Sequence, residues 1–219
     1  MIDYTVARRA MVDEQLAARG IRDPRLLAAF AAVPREKFVD PQFADEAYED
    51  MPLPIAAGQT ISQPYIVALT IEALDLHGHE RVLDVGTGSG YAAAVVSRLC
   101  RAVWTIERHH ELAEQAARVI GELGYDNITL REGDGSLGWP EAAPFDAIAV
   151  AAAGPQVPPA LLEQLAIGGR MVIPVGKSIE DQRLLRITRT GETQYSQETL
   201  AAVRFVPLVG KQAWAERTR

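Results

Sequence analysis

The sequence of 219 residues is poor in cysteine, in histidine and in positive charge. Its single cysteine, Cys100, excludes an internal disulfide and a multi-cysteine zinc site, and favours a reducing compartment. The four histidines lack further ligands at metal-binding spacing, so we predict no metal centre. Lysine and arginine total 22 against 29 acidic residues, and the resulting net charge of −7 disfavours a nucleic-acid-binding protein.

Long apolar runs are missing as well. No segment reaches the roughly 18 uninterrupted apolar residues of a membrane span, and the start Met1-Ile2-Asp3-Tyr4 has no basic stretch followed by an apolar one. We therefore expect a cytoplasmic protein with no membrane partner. The composition, 48% hydrophobic and 23% charged residues, is typical of a folded chain. The length predicts a single domain over residues 1–219.

The first part of the chain predicts helices and an ordered loop. Apolar spacing indicates a helix over residues 5–19 that ends at Gly20, and a second helix with Asp23 as N-cap and Pro24 as its first residue. A loop punctuated by prolines follows. A largely buried helix is then predicted over residues 65–76.

From residue 80 onward, short apolar strands alternate with helices, which is typical of a doubly wound, Rossmann-like α/β fold. The predicted strands and helices are, in order, 81–85, a helix over 91–99, 103–107, a helix over 110–123, 128–130, 145–150, a helix over 159–165, and 170–175. Two more strands, 183–188 and 203–208, have no helix between them. They predict an antiparallel hairpin at the C-terminal edge of a mostly parallel sheet.

The strongest chemical signal is the glycine-rich turn Asp84-Val85-Gly86-Thr87-Gly88-Ser89-Gly90. A strand that ends near an acidic residue and turns through closely spaced glycines into a helix lets the backbone approach a nucleotide-like ligand. Only Ser89 separates Gly88 from Gly90. Because the dinucleotide fingerprint has two residues at that point to seat a pyrophosphate, a pyrophosphate cofactor is the weaker interpretation.

Two more carboxylates end the following strands. Glu107 lies where a carboxylate can accept both hydroxyls of a ribose, and Asp134 follows the next strand within Gly133-Asp134-Gly135. Taken singly, each is better explained as a helix N-cap or a solvated turn residue. Together with Asp84 they would ring one crevice, suited to a ligand with a ribose, an amine and a positive centre. S-adenosylmethionine has all three.

These residues, with the stretch Leu165-Ala166-Ile167-Gly168-Gly169-Arg170-Met171-Val172, resemble class I S-adenosylmethionine-dependent methyltransferases. Within that class, Gly58-Gln59-Thr60-Ile61-Ser62-Gln63-Pro64-Tyr65-Ile66-Val67 resembles the signature of protein-L-isoaspartate O-methyltransferases, as do three shorter stretches over 33–39, 133–135 and 204–208. The resemblance implies methyl transfer from S-adenosylmethionine to the free α-carboxyl of L-isoaspartyl residues in damaged proteins, with S-adenosylhomocysteine as product. The ester then closes to a succinimide that returns partly to aspartate.

The resemblance also assigns the site residues. The implied cofactor-binding residues are Asp84, Gly86, Thr87, Gly88, Ser89, Gly90, Glu107, Arg108, Asp134 and Gly135. The implied acceptor-binding residues are Thr60, Ile61, Ser62, Gln63, Pro64, Tyr65, Phe205, Val206, Pro207 and Leu208. The chain would then divide into an N-terminal helical, substrate-binding segment (1–79), a cofactor-binding core (80–188) and a C-terminal strand and tail (189–219). The family expectation is a monomer whose partners are isoaspartyl proteins and peptides.

Ser62 is the predicted catalytic residue, with a positioning role in which its hydroxyl donates to the acceptor carboxylate. A carboxyl group with a pKa near 3.5 is ionised at neutral pH, so its methylation needs no general base. The sequence has no evident histidine, lysine or metal cluster near Ser62, which agrees with such an acceptor. A second interpretation explains Ser62 equally well, as a cap of the helix that begins near Pro64.

Two other functions stay open at this point. The first is a class I methyltransferase that acts on another carboxyl, a small molecule or a nucleic acid. Enzymes that methylate base amines carry an Asn/Asp-Pro-Pro-aromatic loop after the fourth strand, where this chain has Val150-Ala151-Ala152-Ala153-Gly154-Pro155. The second is a binding module without turnover, and the retention of both the glycine-rich turn and the Ser62 segment argues against it.

Overall fold

The structure is a computed structural model that describes residues 2–216. Its nine strands are β1 (Leu53–Pro54), β2 (Thr60–Ile61), β3 (Arg81–Val85), β4 (Ala102–Glu107), β5 (Ile128–Glu132), β6 (Phe145–Val150), β7 (Leu165–Val175), β8 (Gln182–Arg189) and β9 (Tyr195–Val203). The first two form a small antiparallel ladder, and the other seven form one sheet in the order β5-β4-β3-β6-β7-β8-β9.

The sheet is parallel from β5 to β7, and β8 and β9 are antiparallel at one edge. The predicted fold class is therefore confirmed. The strand order changes direction at β3, which has β4 on one side and β6 on the other. In open α/β sheets a ligand crevice forms at such a switch point, beyond the carboxyl ends of the strands.

Six α-helices accompany the strands: α1 (Tyr4–Ala10), α2 (Pro24–Ala32), α3 (Pro64–Leu74), α4 (Tyr91–Ser97), α5 (His110–Glu122) and α6 (Pro159–Gln164). The first continues as a π-helical turn and a 3₁₀ turn up to Gly20, whose φ of 99° ends it, so the predicted helix over residues 5–19 is a chain of three helical types. The second starts as predicted, since the Asp23 carboxylate accepts from the Arg25 N–H at 2.9 Å and Pro24 is its first residue.

Helices cover both faces of the sheet. The N-terminal helices, α3 and α4 share one hydrophobic cluster with Val82, Val103 and Ala147 of the sheet. The opposite face, with Leu83, Ile106 and further buried residues, packs against α6. The division of the chain into three segments stays a prediction. Among residues 2–216, no helix is both long and apolar enough to cross a membrane.

One strand prediction is wrong. The last strand is Tyr195–Val203, whereas residues 204–208 leave the sheet. The apolar pattern predicted the wrong residues. Residues 195–199 are largely polar because they form an exposed edge strand, whereas residues 205–208 are apolar although they lie outside the sheet. The Gln182 side chain takes the place of a strand partner for Phe205, accepting from its N–H at 2.6 Å and donating to its carbonyl at 3.2 Å.

A smaller difference concerns β7, which begins at Leu165 rather than at residue 170. The pairing shifts between Phe145 opposite Leu165 and Ala147 opposite Arg170, so the residues in between form a bulge. Gly168 in this bulge has a φ of 84°. In the sequence, Gly168-Gly169 predicts a turn, because a bulge and a turn require the same backbone freedom.

Candidate active site

A crevice opens at the carboxyl ends of β3 and β4, where the strand order changes direction. Its lining residues are Gln59, Thr60, Ile61, Ser62, Val67, Val85, Gly86, Thr87, Gly88, Ser89, Tyr91, Ala92, Ile106, Glu107, Arg108, His109, Gly135, Ala151, Ala152, Val206, Pro207, Leu208 and Val209. Three separate parts of the chain therefore meet there: the β2 segment, the glycine-rich turn and the segment after β9.

The glycine-rich turn forms one wall of the crevice. Gly86 has a φ of 92°, a conformation that side chains of L-residues disfavour, and its N–H donates to the Ile106 carbonyl at 2.9 Å. Gly135 lies against the same wall, where an added Cβ would lie 2.6 Å from Cγ1 of Val85. The absence of side chains thus allows the backbone itself to line the crevice.

Glu107 is the carboxylate that faces this crevice. Its side chain is buried and accepts three backbone N–H groups, from Gly88 at 2.8 Å, Arg108 at 2.8 Å and His109 at 3.0 Å. These bonds fix both oxygens without using all their lone pairs, since an ionised carboxylate has about four acceptor sites. The chemistry of this site fits a ligand with a ribose, because the acceptor site that remains on Oε2 can take a ribose hydroxyl.

Asp84 lies behind the crevice rather than in its lining. Its carboxylate is 1% exposed and accepts from the Thr105 hydroxyl at 2.7 Å, and Thr105 is in turn 2.6 Å from the hydroxyl of Thr87. Burial raises the pKa of Asp84 to about 7; the Thr105 hydrogen bond acts against this rise, and the charge of Glu107 adds to it. Asp84 reaches only a small cavity between α3 and the sheet, which Ser62 and Phe205 also line.

Asp134 acts as an N-cap in this structure. Its carboxylate accepts from the N–H and the hydroxyl of Ser136, at 2.9 and 2.6 Å, and from the N–H of Lys211 at 2.7 Å. It therefore joins a 3₁₀ turn to the C-terminal segment and lies outside the crevice lining. The expected ring of three carboxylates is not formed, because Glu107 alone of the three lines the crevice; the cofactor roles of the other two stay predictions.

Most of the remaining predicted cofactor residues line the crevice, and one does not. Thr87, Gly88 and Ser89 line the crevice, as does Arg108, whose guanidinium pairs with Glu216 at 2.6 Å. Gly90 does not line it. With a φ of 91°, Gly90 begins α4 and packs against Ile120 of α5.

Ser62 lies between β2 and α3, half-buried, at the edge of the crevice. Its hydroxyl forms no hydrogen bond with any residue from 2 to 216, and the N-cap position belongs to Gln63. Asp50 from the preceding loop holds the helix start instead, since its carboxylate accepts from the Tyr65 N–H at 3.0 Å and from the Gln63 side chain at 2.6 Å. The capping interpretation of Ser62 is therefore wrong.

A groove continues from Ser62 along the segment that follows β9. Its lining residues are Pro52, Thr60, Ser62, Gln63, Ile66, Ala151, Glu180, Ala202, Val203, Arg204, Phe205 and Val206. Ala153 binds one side of that segment, donating to the Val206 carbonyl and accepting from the Leu208 N–H, both at 2.8 Å. Because alternate residues of an extended chain face opposite sides, the Pro207 carbonyl lies on the edge away from Ala153; within the described part of the chain it has no partner and can accept from an extended peptide.

Two predicted acceptor residues support this groove without lining it. Pro64 is buried as the first residue of α3. Tyr65 lies beneath the guanidinium of Arg19, whose central carbon is 3.6 Å from the ring centroid. The other predicted acceptor residues line the crevice, the groove or both.

Comparison with known proteins decides the family. The family model described as protein-L-isoaspartate(D-aspartate) O-methyltransferase matches residues 7–213. The chain belongs to this protein-L-isoaspartate(D-aspartate) O-methyltransferase family. It is accordingly an S-adenosylmethionine-dependent protein-repair methyltransferase, which confirms the activity and the cofactor implied by the sequence.

Curated relatives of this methyltransferase cover nearly its whole length. Protein-L-isoaspartate O-methyltransferase 2 of Pelobacter propionicus is 58% identical over 207 residues, 94% of this chain and 92% of the relative. Protein-L-isoaspartate O-methyltransferase 2 of Marinobacter nauticus is 57% identical over 212 residues, 97% of each chain.

Solved structures resemble the methyltransferase in the same way. One, called protein-L-isoaspartate O-methyltransferase, has a TM-score of 0.84 at 29% identity and covers 94% of this chain and 67% of its own. A second, from Plasmodium falciparum, was solved in complex with S-adenosyl-L-homocysteine; it has a TM-score of 0.80 at 27% identity and covers 92% of this chain and 98% of its own.

Sequence reasoning missed several residues of the methyltransferase site. Tyr91 and His109 line the crevice directly after predicted residues, and Ala151 and Ala152 follow the carboxyl end of β6. Position beyond a strand end is the signal that could have found them. Arg35 belongs to the stretch 33–39 that resembles the family signature, but no local pattern predicts its contact with the site, a hydrogen bond to the Ser62 carbonyl at 2.9 Å across 27 positions of the chain.

Proposed function

We propose that Ser62 positions the α-carboxylate of an L-isoaspartyl residue for methylation. The observation that carries this assignment is its hydroxyl, which has no partner within residues 2–216 and lies where the crevice meets the groove. A free O–H at that junction can donate to a carboxylate oxygen, and a hydrogen bond to an ionised acceptor is among the strongest available. Because the acceptor is already ionised, Ser62 has no proton to remove.

The chain holds its cofactor from the opposite wall. Glu107, fixed by its three backbone N–H donors, would bind the ribose hydroxyls, and the bare backbone of the glycine-rich turn would allow the ligand a close approach. When bound, S-adenosylmethionine supplies an electrophilic methyl group on a positive sulfonium. Ser62 and the walls then exclude water and align the carboxylate with that methyl group, where opposite charges are neutralised as the bond forms.

The backbone after β9 would hold the damaged peptide. The Pro207 carbonyl lies on the edge opposite the two Ala153 bonds and can accept from an extended chain added as a strand. Main-chain pairing of this kind is insensitive to sequence, which suits an enzyme that must accept damage in many proteins. In the ester product the neighbouring backbone nitrogen attacks the ester carbonyl and expels methanol, and water then reopens the succinimide partly to aspartate. We propose that the enzyme works in the cytoplasm as a monomer, without nucleic-acid or membrane partners.

The test is Ser62→Ala, assayed by methyl incorporation from labelled S-adenosylmethionine into an isoaspartyl peptide. We expect kcat/KM to fall roughly 100-fold, because misplacement of the acceptor is costly. The free energy of unfolding should change by less than about 0.5 kcal/mol, since the hydroxyl caps nothing. Ser196→Ala, on the exposed edge of the sheet, is the matched control and should leave both quantities unchanged.

Full activity in the folded Ser62→Ala variant would overturn the role of Ser62. A separate comparison of substrates tests the proposed acceptor. The wild-type enzyme should label the isoaspartyl peptide and leave the matching aspartyl peptide and RNA unlabelled, and labelling of RNA alone would contradict the proposed acceptor.

A further inference from the structure

Arg35 is an arginine buried inside the helical layer that flanks the site. Its side chain is 0% exposed; Nε donates to the Ala47 carbonyl at 2.7 Å and Nη2 to the Ser62 carbonyl at 2.9 Å. Nη1 is buried and has no hydrogen-bond partner within residues 2–216, and the guanidinium carbon lies 4.8 Å from the centroid of the Tyr91 ring. Backbone carbonyls and an aromatic face therefore surround this cation, without a carboxylate in contact with it among residues 2–216.

The nearest carboxylates are engaged elsewhere. Glu36, the next residue, accepts from Arg8 at 3.1 Å and from the Tyr48 hydroxyl. Asp50 pairs with Arg19 and with Gln63, and reaches Arg35 only as a weaker, more distant attraction. Arg35 is thus the buried cation of this layer, and within the described chain the fold leaves it without an ion pair.

A buried cation without an ion pair is expensive for a fold, which makes its retention informative. Burial lowers the pKa of Arg35 to about 10. Electrostatic attraction to the phenol groups of Tyr91 and Tyr48 and to the Asp50 carboxylate acts against this fall. At neutral pH the guanidinium is therefore still charged. Its field is weakly screened, because the side chain is fully buried.

The position of this charge connects it to the acceptor. The hydrogen bond from Nη2 ends on the carbonyl of Ser62, whose own hydroxyl faces the crevice, and Tyr91 on the other side of the guanidinium lines the same crevice. Two other cations lie near the acceptor path and are less suited to the task. Arg108 is paired with Glu216, and Arg204 at the groove is exposed to solvent.

We propose that Arg35 is a specificity-determining residue, whose buried charge makes the acceptor site prefer a carboxylate to a neutral carboxamide. The inference rests on the proposed placement of the acceptor beside Ser62. It explains how a protein with a net charge of −7 binds an anionic group. Arg35 does not touch the acceptor; it acts through the field behind the Ser62 segment and by holding that segment in place.

The test compares two peptides of one sequence whose isoaspartyl residue carries either a free α-carboxylate or an α-carboxamide. Their dissociation constants from the S-adenosylhomocysteine-loaded enzyme are measured by calorimetry. We expect the wild-type enzyme to prefer the carboxylate by about tenfold or more. Arg35→Met should bring the ratio of the two constants close to one, whereas Arg35→Lys, which keeps the charge, should preserve most of it.

A purely structural role would weaken both peptides equally and leave the ratio unchanged, so an unchanged ratio in a folded neutral variant overturns the proposal. Arg35→Gln provides a second neutral variant if the methionine variant does not fold. If neither folds, Arg35→Lys decides: a preserved ratio supports the proposal, and a lost ratio contradicts it. Arg8→Met is the control, because it removes an ion-paired arginine from the same layer and should keep the ratio.

The outcome is separable from that of the Ser62 experiment. Loss of turnover in Ser62→Ala together with an unchanged ratio in Arg35→Met would reject the role of Arg35 alone. Full turnover in Ser62→Ala together with a ratio near one in Arg35→Met would reject the role of Ser62 alone.

Discussion

Asp84 illustrates how a single buried residue sets the pH response of the fold. In the folded protein its pKa is raised to about 7, whereas an aspartate in an unfolded chain titrates near 3.9. Between these two values the folded protein holds a proton that the unfolded chain has lost. The free energy of unfolding therefore falls as the pH rises from about 4 to 7.

We predict that Asp84→Asn removes this decline. Urea unfolding of the cofactor-free protein at pH 5 and pH 7.5 should show the wild type losing about 2.5 kcal/mol relative to the variant. Parallel pH dependences of the two proteins would mean that Asp84 is not the group responsible.

A second prediction at the scale of single residues concerns Glu107. Glu107→Gln removes the charge that three backbone N–H groups and the ligand hydroxyls share. The affinity for S-adenosylhomocysteine, measured by calorimetry, should fall roughly 10- to 100-fold, since hydrogen bonds to a charged group contribute about 1.5–3 kcal/mol. Glu122→Gln, at the exposed end of α5, should bind as the wild type does; a variant at Glu107 with wild-type affinity would exclude the ribose assignment.

At the scale of elements, the sequence predicts those parts that depend on local patterns. The five parallel strands and the helices between them follow from apolar runs and glycine stops, and α2 follows from its Asp-Pro start. The edge strand β9 carries no apolar alternation over residues 195–199, because these residues are exposed on both faces. The glycine-rich turn was recognisable for the same local reason, whereas the caps made by Asp50 and Gln182 join distant residues and leave no local pattern.

Two glycines at the end of α5 provide a matched prediction. Gly121 lies within the helix with open space around its Cα, while Gly124 follows the helix with a φ of 71°. Gly121→Ala should raise the free energy of unfolding by about 0.5–1 kcal/mol, through helix propensity and a less flexible unfolded chain. Gly124→Ala should lower it by about 1–2 kcal/mol, because alanine resists the left-handed conformation. Equal effects of the two changes in urea unfolding would contradict the assigned helix end.

For the whole molecule, the net charge of −7 surrounds a site that must attract a carboxylate. Long-range repulsion acts on the approach of the substrate, and the buried Arg35 acts only after contact. The long-range repulsion and the attraction by the buried Arg35 thus act over different distances. Salt weakens the repulsion much more than it weakens the attraction.

We therefore predict that the sequence around the isoaspartyl residue affects turnover through charge. At low ionic strength, a peptide with lysines on both sides should have a kcat/KM several-fold higher than one with glutamates there. In about 0.5 M salt the two values should converge, because the Debye length is then a few ångströms. A preference that salt does not change would place the selectivity in direct contacts within the groove.

The bond pair that joins Ala153 to Val206 and Leu208 has one more consequence, which concerns the lifetime of the enzyme itself. Ala153 and Val206 lie 53 positions apart, so the contact depends on closure of a long loop and not on local structure. Local opening of the C-terminal segment would remove the backbone that is proposed to hold the peptide while the sheet stays folded. We therefore expect damage to this segment to reduce turnover before it reduces the stability of the sheet.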